Sequence, residues 1–390
     1  MKRSLSLLLA LIMTLGLIVS MTSCIKNTTV VEAGDVYNVE VSGASTSVAA
    51  ASKAILSAVS INASYRYATL GGTKSASSKG SGVIYSMSED RGSAFIVTNF
   101  HVVYNSSLGI SENISVFLYG MEADAYAIPA TYIGGSMLYD IAVLKIENNK
   151  TLQESSSVPA VFANSDDLNL LDNVIAVGNA SGRGISATVG HLNVESEYIN
   201  LYAADDKTKI KIRVMRTDAA VNPGNSGGGL FNAKGEVIGI VNAKSADESV
   251  DNIGYAIPSN VAKSIVENLI YYCDGTDKTC VYRCILGVNV GATNLRVDYN
   301  EKTGAIKKVE DVIITSVDLG SAGYSLFKKG DVIKSITLNG VTHEITRQYQ
   351  PIDVMLDVRE GMEITFKILR NGVESEIKVT ATADMLEPYV

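Results

Sequence analysis

A serine just past the middle of the chain lies in a glycine-rich segment suited to acyl transfer. Ser226 follows Gly224 and Asn225 and precedes two further glycines, Gly227 and Gly228. Small neighbours let a tight loop expose the serine hydroxyl, and they allow nearby backbone N–H groups to point at one spot. Converging N–H groups of this kind stabilise the oxyanion formed in acyl transfer. The segment predicts a nucleophile, with an ordinary glycine-rich loop as the alternative.

A base and an acid for such a serine are available elsewhere in the chain. There are only three histidines, and His101 lies just after an apolar, β-branched run at residues 94–98. Asp140 lies directly before another apolar run, residues 141–146. A carboxylate at the head of a buried strand is costly unless it is paired, and a histidine Nδ1–H is a suitable partner. The alternatives are a structural or surface histidine and a turn or cap aspartate.

The order of these three residues narrows the class of enzyme. His101, Asp140 and Ser226 follow one another as histidine, aspartate and serine. This is the order found in chymotrypsin-type proteases, and it differs from the order in subtilisins and in α/β-hydrolases. The combination predicts a serine protease and argues against an esterase.

Four segments carry a resemblance to a known family, and they are residues 98–103, 140–145, 217–228 and 254–260. In this order they closely resemble the HtrA/Deg family of serine proteases, over residues 47–385. The resemblance implies a mainly β chain: a chymotrypsin-like double β-barrel protease domain followed by a small α+β PDZ domain. It also implies cleavage of unfolded or damaged proteins outside the cytoplasm without a cofactor or a metal, and assembly as trimers or larger multiples.

The resemblance also assigns roles to the residues of the site. Ser226 would attack the scissile carbonyl, His101 would take and return the proton, and Asp140 would orient the imidazole. Backbone N–H groups of Gly224 and Ser226 would form the oxyanion hole, with Asn225 as a further candidate donor. A binding protein of the chaperone or sensor type, with weak or latent proteolysis, is the competing function.

Substrate preference follows from the residue six positions before the nucleophile, which lies at the base of the S1 pocket in chymotrypsin-like enzymes. Here this residue is Ala220. No carboxylate would meet an Arg or Lys side chain, so we expect cleavage after small or medium aliphatic residues. Ile240, Asn242 and Lys244 are expected to line the pocket wall, unless Lys244 points to solvent.

The C-terminal part of the chain resembles a PDZ domain. Ile285, Leu286, Gly287 and Val288 would form its carboxylate-binding loop and the start of its groove strand. A peptide C-terminus would add to that strand, and the N–H groups of Leu286 and Gly287 would hold its carboxylate. A small β-rich domain without a ligand is the alternative.

Hydrophobic patterning supplies the elements that must position these residues. Short β-rich runs occupy residues 60–258, and an amphipathic helix at 258–272 follows them. A further short helix is expected at residues 49–59. In the C-terminal part of the chain we expect strands near 311–317, 331–337, 362–369 and 373–380, and a helix near 351–359.

The chain is expected to divide into a signal peptide at 1–23, a spacer at 24–46, a protease domain at 47–265, a linker at 266–284 and a PDZ domain at 285–385. These boundaries follow changes in composition and in strand spacing. Many short strands argue for barrels or sandwiches and against alternating βαβ units.

The N-terminus predicts export from the cytoplasm. Lys2 and Arg3 precede an apolar stretch at residues 7–19. A helix of this length rises about 20 Å, less than a hydrocarbon core of roughly 30 Å, so we interpret it as a signal and not as an anchor. The stretch ends in Met21-Thr-Ser-Cys24, which resembles the lipobox of bacterial lipoproteins. Acylation of Cys24 would attach the protein to the outer side of a membrane, and a secreted protein is the alternative.

Composition excludes several other classes. Hydrophobic residues make up 46% of the 390 residues, which excludes a disordered chain. The net charge of −8 argues against nucleic-acid binding by phosphate neutralisation. A Cys273–Cys280 disulfide is compatible with an extracytoplasmic protein and would leave Cys284 free. We expect no metal site there, because the nearby segment offers no histidine or fourth cysteine.

Overall fold

The computed structural model describes residues 46–69, 72–243, 253–272, 281–302 and 304–389. The expected signal peptide, the lipidated Cys24, the spacer up to residue 45, Lys244 and the Cys273–Cys280 pair lie outside these ranges. Within the described ranges, no helix is both long enough and apolar enough to cross a bilayer.

Six strands of the first half form a closed barrel, and they are β1 (Ala58–Thr69), β2 (Gly72–Met87), β3 (Ala94–Thr98), β6 (Asn113–Leu118), β7 (Ile128–Ser136) and β8 (Ile141–Ile146). Their order around the barrel is β1-β2-β3-β8-β7-β6, with antiparallel neighbours. A small hairpin of β4 (Tyr104–Asn105) and β5 (Gly109–Ile110) lies between β3 and β6. Three helices accompany this half: α1 (Thr46–Ser57), α2 (Phe100–Val103) and α3 (Lys150–Gln153).

A second closed barrel follows, and its strands are β9 (Asn173–Gly178), β10 (Ser186–Tyr202), β11 (Lys209–Thr217), β12 (Gly229–Asn232), β13 (Val237–Val241) and β14 (Gly254–Pro258). The order is β10-β11-β14-β13-β12-β9. Helix α4 (Ser259–Tyr272) begins directly after β14. The two barrels confirm the expected double-barrel, mainly β fold.

The apolar runs of the sequence are continuous because these strands are buried on both faces. In β8, Ala142 and Leu144 face the interior of the first barrel, whereas Ile141 and Val143 belong to a core between the barrels. Side chains alternate between the two faces of a strand, so one run of residues contributes to two cores. The core between the barrels also contains Ile265 of α4.

The C-terminal unit, residues 281–389, has its own sheet and core. Its strands are β15 (Val281–Cys284), β16 (Val288–Tyr299), β17 (Ile306–Val317), β18 (Val332–Leu338), β19 (Val341–Glu344), β20 (Glu363–Arg370), β21 (Val373–Thr380) and β22 (Leu386–Tyr389). The main sheet has the order β16-β17-β18-β20-β21 with β19 beside β18, and β15 pairs with β22.

Two expectations, one for the extent of a helix and one for a domain boundary, differ from the observed helices. The helix expected near 351–359 is α5 (Gln350–Val354) and ends earlier. The chain then turns through bonds from the N–H groups of Leu356 and Asp357 to carbonyls three residues back. This turn buries the side chains of Leu356 and Val358 completely. Helix α4 is unbroken across residues 265 and 266, so a boundary at that point would divide a helix.

The C-terminal unit contacts the second barrel through polar groups. Arg213 of β11 forms a buried ion pair with Asp353 of α5, and its guanidinium lies 4.0 Å from the ring centroid of Tyr349. The side chain of Gln350 donates to Asp166 at 3.1 Å. Arg347 lies 3.7 Å from Glu195 of β10. Burial raises the pKa of Asp353 to about 7, although Arg213 acts to lower it.

Candidate active site

His101 lies on α2, a single helical turn that follows directly on β3. Asn99 has an extended backbone and precedes this turn, so the chain changes direction at the edge of the first barrel. The Asn99 side chain donates to the backbone carbonyl of Asp140 at 2.8 Å. This bond fixes the end of β3 to the start of β8 and brings the histidine beside the aspartate.

Asp140 accepts hydrogen bonds from both the backbone and the ring of His101. Its Oδ1 accepts the His101 N–H at 3.0 Å, and its Oδ2 lies 2.7 Å from His101 Nδ1. A carboxylate at this distance fixes the tautomer with the proton on Nδ1, which leaves Nε2 as an acceptor. Asp140 has a φ of 52°, a left-handed conformation that aspartate tolerates better than most residues.

Asn242, which follows β13 in the second barrel, supplies a further donor to the same carboxylate. Its Nδ2 donates to Asp140 Oδ2 at 2.9 Å, and the residue is completely buried. Asn242 was expected to line the S1 wall, and this expectation is wrong because its amide points at Asp140. An asparagine directly after a buried apolar strand is the sequence signal that could have suggested a buried polar partner.

Ser226 lies on the loop before β12, at the seam between the two barrels. Its carbonyl accepts the N–H of Ser81 on β2 at 2.8 Å. Next to it, the N–H of Gly227 donates to the Val241 carbonyl at 2.9 Å. The Gly227 φ is 83°, and a Cβ there would lie 2.2 Å from both the Ser81 carbonyl and Thr98 Oγ1. Glycine is therefore required at this position by both conformation and space.

The hydroxyl of Ser226 accepts the backbone N–H of Ala243 at 3.2 Å. Asn242 and Ala243 are consecutive, so one segment holds Asp140 with a side chain and Ser226 with a backbone group. Among the described residues, Ser226 Oγ makes no hydrogen bond to His101. The structure thus brings His101 and Asp140 into direct contact and connects Ser226 to them through residues 242–243.

The expected oxyanion donors differ in their availability. Within the described part of the chain, the N–H groups of Gly224 and Ser226 have no acceptor. The N–H of Asn225 donates to the Asn222 carbonyl at 2.9 Å. The expectation that Asn225 is a further oxyanion donor is therefore wrong, because its proton is already engaged.

Two of the expected S1 residues that the structure describes, Ala220 and Ile240, differ in exposure. Ala220 is exposed, and its carbonyl accepts Thr188 Oγ1 at 3.0 Å. Ile240 is fully buried in the core between the barrels, so its predicted place in the pocket wall is wrong. Alternation along β13 explains this orientation, because neighbouring side chains face opposite sides.

The expected carboxylate-binding loop borders a cavity of about 340 Å³ between β16 and α5. We call this cavity the C-terminal groove. It is lined by all four expected residues, Ile285, Leu286, Gly287 and Val288, and by Cys284, Phe327, Ile333, Met355 and Phe366 among others. Burial raises the pKa of the Cys284 thiol to about 11. In the described structure, the N–H groups of Leu286 and Gly287 have no acceptor.

One edge of the C-terminal groove is occupied by a side chain. Gln348 Nε2 donates to the backbone carbonyl of Val290 at 3.0 Å. The carbonyls of Gly287 and Asn289 accept bonds from residues 318 and 315 on the opposite side of β16. Successive carbonyls of a strand point to opposite edges, so Val290 presents its carbonyl to the groove. Among the described residues, no group of three or more His, Cys, Asp or Glu side chains is arranged to hold a metal ion.

Ser81 is a site residue that the sequence reasoning missed. It lies on β2 between Gly80 and Gly82, and it is completely buried. A Cβ at Gly80 would lie 2.6 Å from the side chain of Val102 and 3.1 Å from the Ser226 carbonyl. The Gly-Ser-Gly triplet is the signal, because alternating glycines inside a strand indicate close approach of another backbone.

Comparison with known proteins gives a consistent result. A family model for a trypsin-like peptidase domain matches residues 80–240. The chain is 33% identical over 308 residues to the serine protease Do-like HtrA of Bacillus subtilis strain 168, covering 78% of this chain and 63% of that protein. It is 32% identical over 321 residues to the serine protease Do-like HtrA of Lactococcus lactis subsp. cremoris strain MG1363, covering 80% of this chain and 73% of that protein.

The fold is also similar to that of a solved structure, the HtrA-type protease AlgW with decapeptide. The TM-score is 0.53 at 24% identity, over 87% of this chain and 98% of that chain. This likeness concerns the fold alone. The chain spans a little under two thirds of the length of the Bacillus subtilis relatives, 63% of one and 62% of the other.

Proposed function

This chain belongs to the HtrA family of Do-like serine proteases, and we propose that it is a serine endopeptidase that cleaves unfolded or damaged proteins outside the cytoplasm. The observation that carries the proposal is the set of hydrogen bonds that connects His101, Asp140 and Ser226 at the seam. His101 binds Asp140 at 2.7 Å, and Asn242 binds the same carboxylate at 2.9 Å. The residue after Asn242 holds the Ser226 hydroxyl at 3.2 Å.

Catalysis begins when the Ser226 hydroxyl turns from Ala243 toward Nε2 of His101. Oγ attacks the scissile carbonyl as Nε2 takes its proton, and Asp140 stabilises the resulting imidazolium. The N–H groups of Gly224 and Ser226 then stabilise the oxyanion, and each such donor is worth about 10²–10³ in rate. The imidazolium returns the proton to the leaving amine, and water hydrolyses the acyl-enzyme.

Of the expected S1 residues, the proposal uses only Ala220. Its methyl group offers no charge to an Arg or Lys side chain, which supports cleavage after small or medium aliphatic residues. Cut-site sequencing of a degraded unfolded protein tests this preference. Frequent cleavage after Arg or Lys would contradict it.

The C-terminal unit acts in this proposal as a PDZ domain that binds peptide C-termini. Support comes from the free N–H groups of Leu286 and Gly287 beside an apolar cavity. A carboxylate held there would place the peptide along β16, where the carbonyl of Val290 meets one of its N–H groups. The apolar lining suits a hydrophobic terminal side chain.

Attachment and assembly complete the proposal. Acylation of Cys24 would hold the protein on the outer side of a membrane, and metabolic labelling with a palmitate analogue tests it against Cys24→Ser. Assembly as a trimer or larger multiple is tested by light scattering of the mature chain.

The test of the proposed activity is degradation of casein by the mature chain. Ser226→Ala should abolish cleavage, because removing the nucleophile leaves only residual catalysis, about 10⁶-fold lower. Ser259→Ala is the matched control, since Ser259 is likewise buried and its hydroxyl also makes one hydrogen bond to the backbone, to the Ala163 carbonyl at 2.7 Å. Cleavage that persists in Ser226→Ala would refute Ser226 as nucleophile.

A chaperone or sensor is the second candidate, and the engagement of the Ser226 hydroxyl by Ala243 favours it. Such a protein would suppress aggregation of an unfolded client in both the wild type and Ser226→Ala. Suppression without any cleavage, even when a hydrophobic C-terminal peptide is added, would support this second function over the first.

A further inference from the structure

We infer that Ser81 is a positioning residue for the oxyanion side of the active site, and this inference rests on the proposed protease function. Ser81 lies on β2 in the first barrel, whereas the nucleophile loop belongs to the second. Its side chain is completely buried and contacts two segments of the second barrel. It holds in place a loop that carries both the nucleophile and its oxyanion donors.

Ser81 uses its backbone and its side chain for different partners. Its N–H donates to the Ser226 carbonyl at 2.8 Å, and its own carbonyl accepts Thr98 Oγ1 at 2.7 Å. Its hydroxyl donates to the Gly224 carbonyl at 2.7 Å and accepts the Asn179 N–H at 2.7 Å. A substitution at Ser81 removes the hydroxyl bonds and leaves the backbone bond to Ser226 intact.

The hydroxyl matters because Gly224 carries one of the two oxyanion N–H groups on an adaptable glycine backbone. Its φ is 99°, a region that glycine adopts readily, and glycine has the widest choice of alternative conformations. The N–H of Gly224 belongs to the peptide unit that contains the Pro223 carbonyl. Those two groups point in opposite directions from a planar trans peptide.

Two hydrogen bonds fix the two peptide units on either side of Gly224. The Ser181 N–H donates to the Pro223 carbonyl at 2.8 Å, and the Ser81 hydroxyl donates to the Gly224 carbonyl at 2.7 Å. Ser81 also holds Asn179, which precedes the short helical turn containing Ser181. The hydroxyl therefore supports both bonds, one directly and one through Asn179.

Loss of the hydroxyl should let Gly224 rotate, so that its N–H spends less time directed at the reacting carbonyl. The contact of the Ser226 hydroxyl with Ala243 and the bond between His101 and Asp140 would be untouched. The expected signature is a lower kcat with an unchanged KM, because the oxyanion exists only after attack. Removing a donor costs about 10²–10³, so we expect that misorienting one costs about tenfold in kcat.

The experiment compares Ser81→Ala with Ser111→Ala in the full mature chain. Ser111 is also buried, and its hydroxyl donates to the Ser64 carbonyl at 2.8 Å and accepts the Asn113 N–H at 3.2 Å. The two variants lose equivalent bonds, so a general effect of stability should be similar in both. Active-site titration with a fluorophosphonate converts each rate to a rate per competent site.

A second readout separates positioning from stability. An aliphatic peptide boronate accepts Ser226 Oγ at boron and places an oxygen where the oxyanion forms. In Ser81→Ala, the dissociation constant of the boronate should rise about tenfold, which is the same factor by which kcat falls. Ser111→Ala should leave both values close to the wild type. If Ser81→Ala does not fold, Ser81→Cys keeps the side-chain size with a weaker donor and should show a smaller loss.

The outcomes distinguish this inference from the proposed function. A wild type without turnover, with or without a hydrophobic C-terminal peptide, overturns both. A wild type that turns over, with Ser81→Ala equal to Ser111→Ala per titrated site, overturns the role of Ser81 and leaves the protease intact. A raised KM with an unchanged kcat would also overturn it, because ground-state binding would then be the affected step.

Discussion

In the described part of the chain, the candidate active site at the seam and the C-terminal groove both leave two N–H groups free, but their acceptor oxygens are bound in opposite ways. At the seam, Asp140 accepts from His101 and from the buried side chain of Asn242. In the groove, the carbonyl of Val290 is paired with the side chain of Gln348, an exposed contact. The N–H groups of Leu286 and Gly287 beside it have no acceptor among the described residues.

We interpret this difference as one between the proposed catalytic site, whose acceptors are held in buried bonds, and the proposed peptide site, whose acceptor is held by a replaceable side chain. Buried bonds between backbone and side chains hold reacting groups in place before a substrate arrives, which is what catalysis needs. A long, exposed side chain such as that of Gln348 can leave the carbonyl at the edge of a strand. The N–H of a ligand then replaces its hydrogen bond at a small cost in free energy. The following substitutions test whether the two regions behave in these different ways.

The largest effect is expected at the seam from Asp140→Asn. An amide in place of the carboxylate donates toward the ring and favours the wrong tautomer of His101, so kcat should fall about 10⁴-fold. The measurement is kcat on an aliphatic chromogenic peptide. Asp218→Asn is the control, because Asp218 also accepts the backbone N–H of a histidine, His191, but at an exposed position.

Asp218→Asn should retain most of the activity. A comparable loss in both variants would mean that a histidine–aspartate contact in either barrel affects activity, and it would contradict a specific role for Asp140.

A smaller effect, on stability, is expected from α5, the helix that borders the C-terminal groove and carries Asp353. Burial raises the pKa of Asp353 to about 7. The positive charge of Arg213 acts to lower this pKa, whereas the carboxylates of Asp166 and Asp357 raise it further. The folded chain therefore holds a proton that the unfolded chain has released. The free energy of unfolding should then fall as the pH rises from about 4 to about 7, by at most about 1.4 kcal/mol per pH unit.

Asp353→Asn removes this titration, so the slope of unfolding free energy against pH should become shallower between pH 4 and 7. Denaturant titrations at several pH values measure it, with the exposed Asp124→Asn as control. Above pH 7 the overall stability should also drop, because Arg213 then stays buried without its ionised partner. An unchanged slope would contradict a protonated Asp353 in the folded chain.

The smallest effect is expected in the groove. Gln348→Ala frees the Val290 carbonyl, so a peptide with an aliphatic C-terminus should bind about 2–10-fold more tightly. Fluorescence anisotropy with a labelled peptide measures the change. Gln348→Met keeps the side-chain length without the donor and should act in the same direction. Weaker binding in both variants would show that Gln348 contributes to the ligand site and does not compete for it.

Much of the fold could be predicted from the sequence because the barrels are built from runs with clear ends. The apolar runs at residues 94–98 and 141–146 are strands with the same bounds. Their apolar residues are continuous, since both faces are buried. Strand β7 was harder to predict because it combines Pro129 with two glycines, Gly134 and Gly135, and only tertiary pairing makes it a strand.

The site could be predicted in part. The histidine and the aspartate were found from their positions beside apolar runs, and their contact at 2.7 Å depends only on adjacent strands, β3 and β8. Asn242 was assigned to the S1 wall and Ser81 was missed, because their partners come from the other barrel, and spacing along the chain does not report which residues meet across a seam. Asn225 was assigned as a donor for a different reason: the local turn that engages its N–H is not visible in the residue types.

The division of the site between the barrels has a consequence for the stage of folding at which the protein becomes active. His101 and Asp140 belong to the first barrel, and Ser226 and Asn242 to the second. Either barrel folded alone would carry an incomplete set of groups and would be harmless to neighbouring chains. Proteolytic competence should therefore arrive with the docking event, after each barrel has its strands. In a refolding time course, enzymatic activity should lag behind the circular dichroism signal, and the lag would report docking.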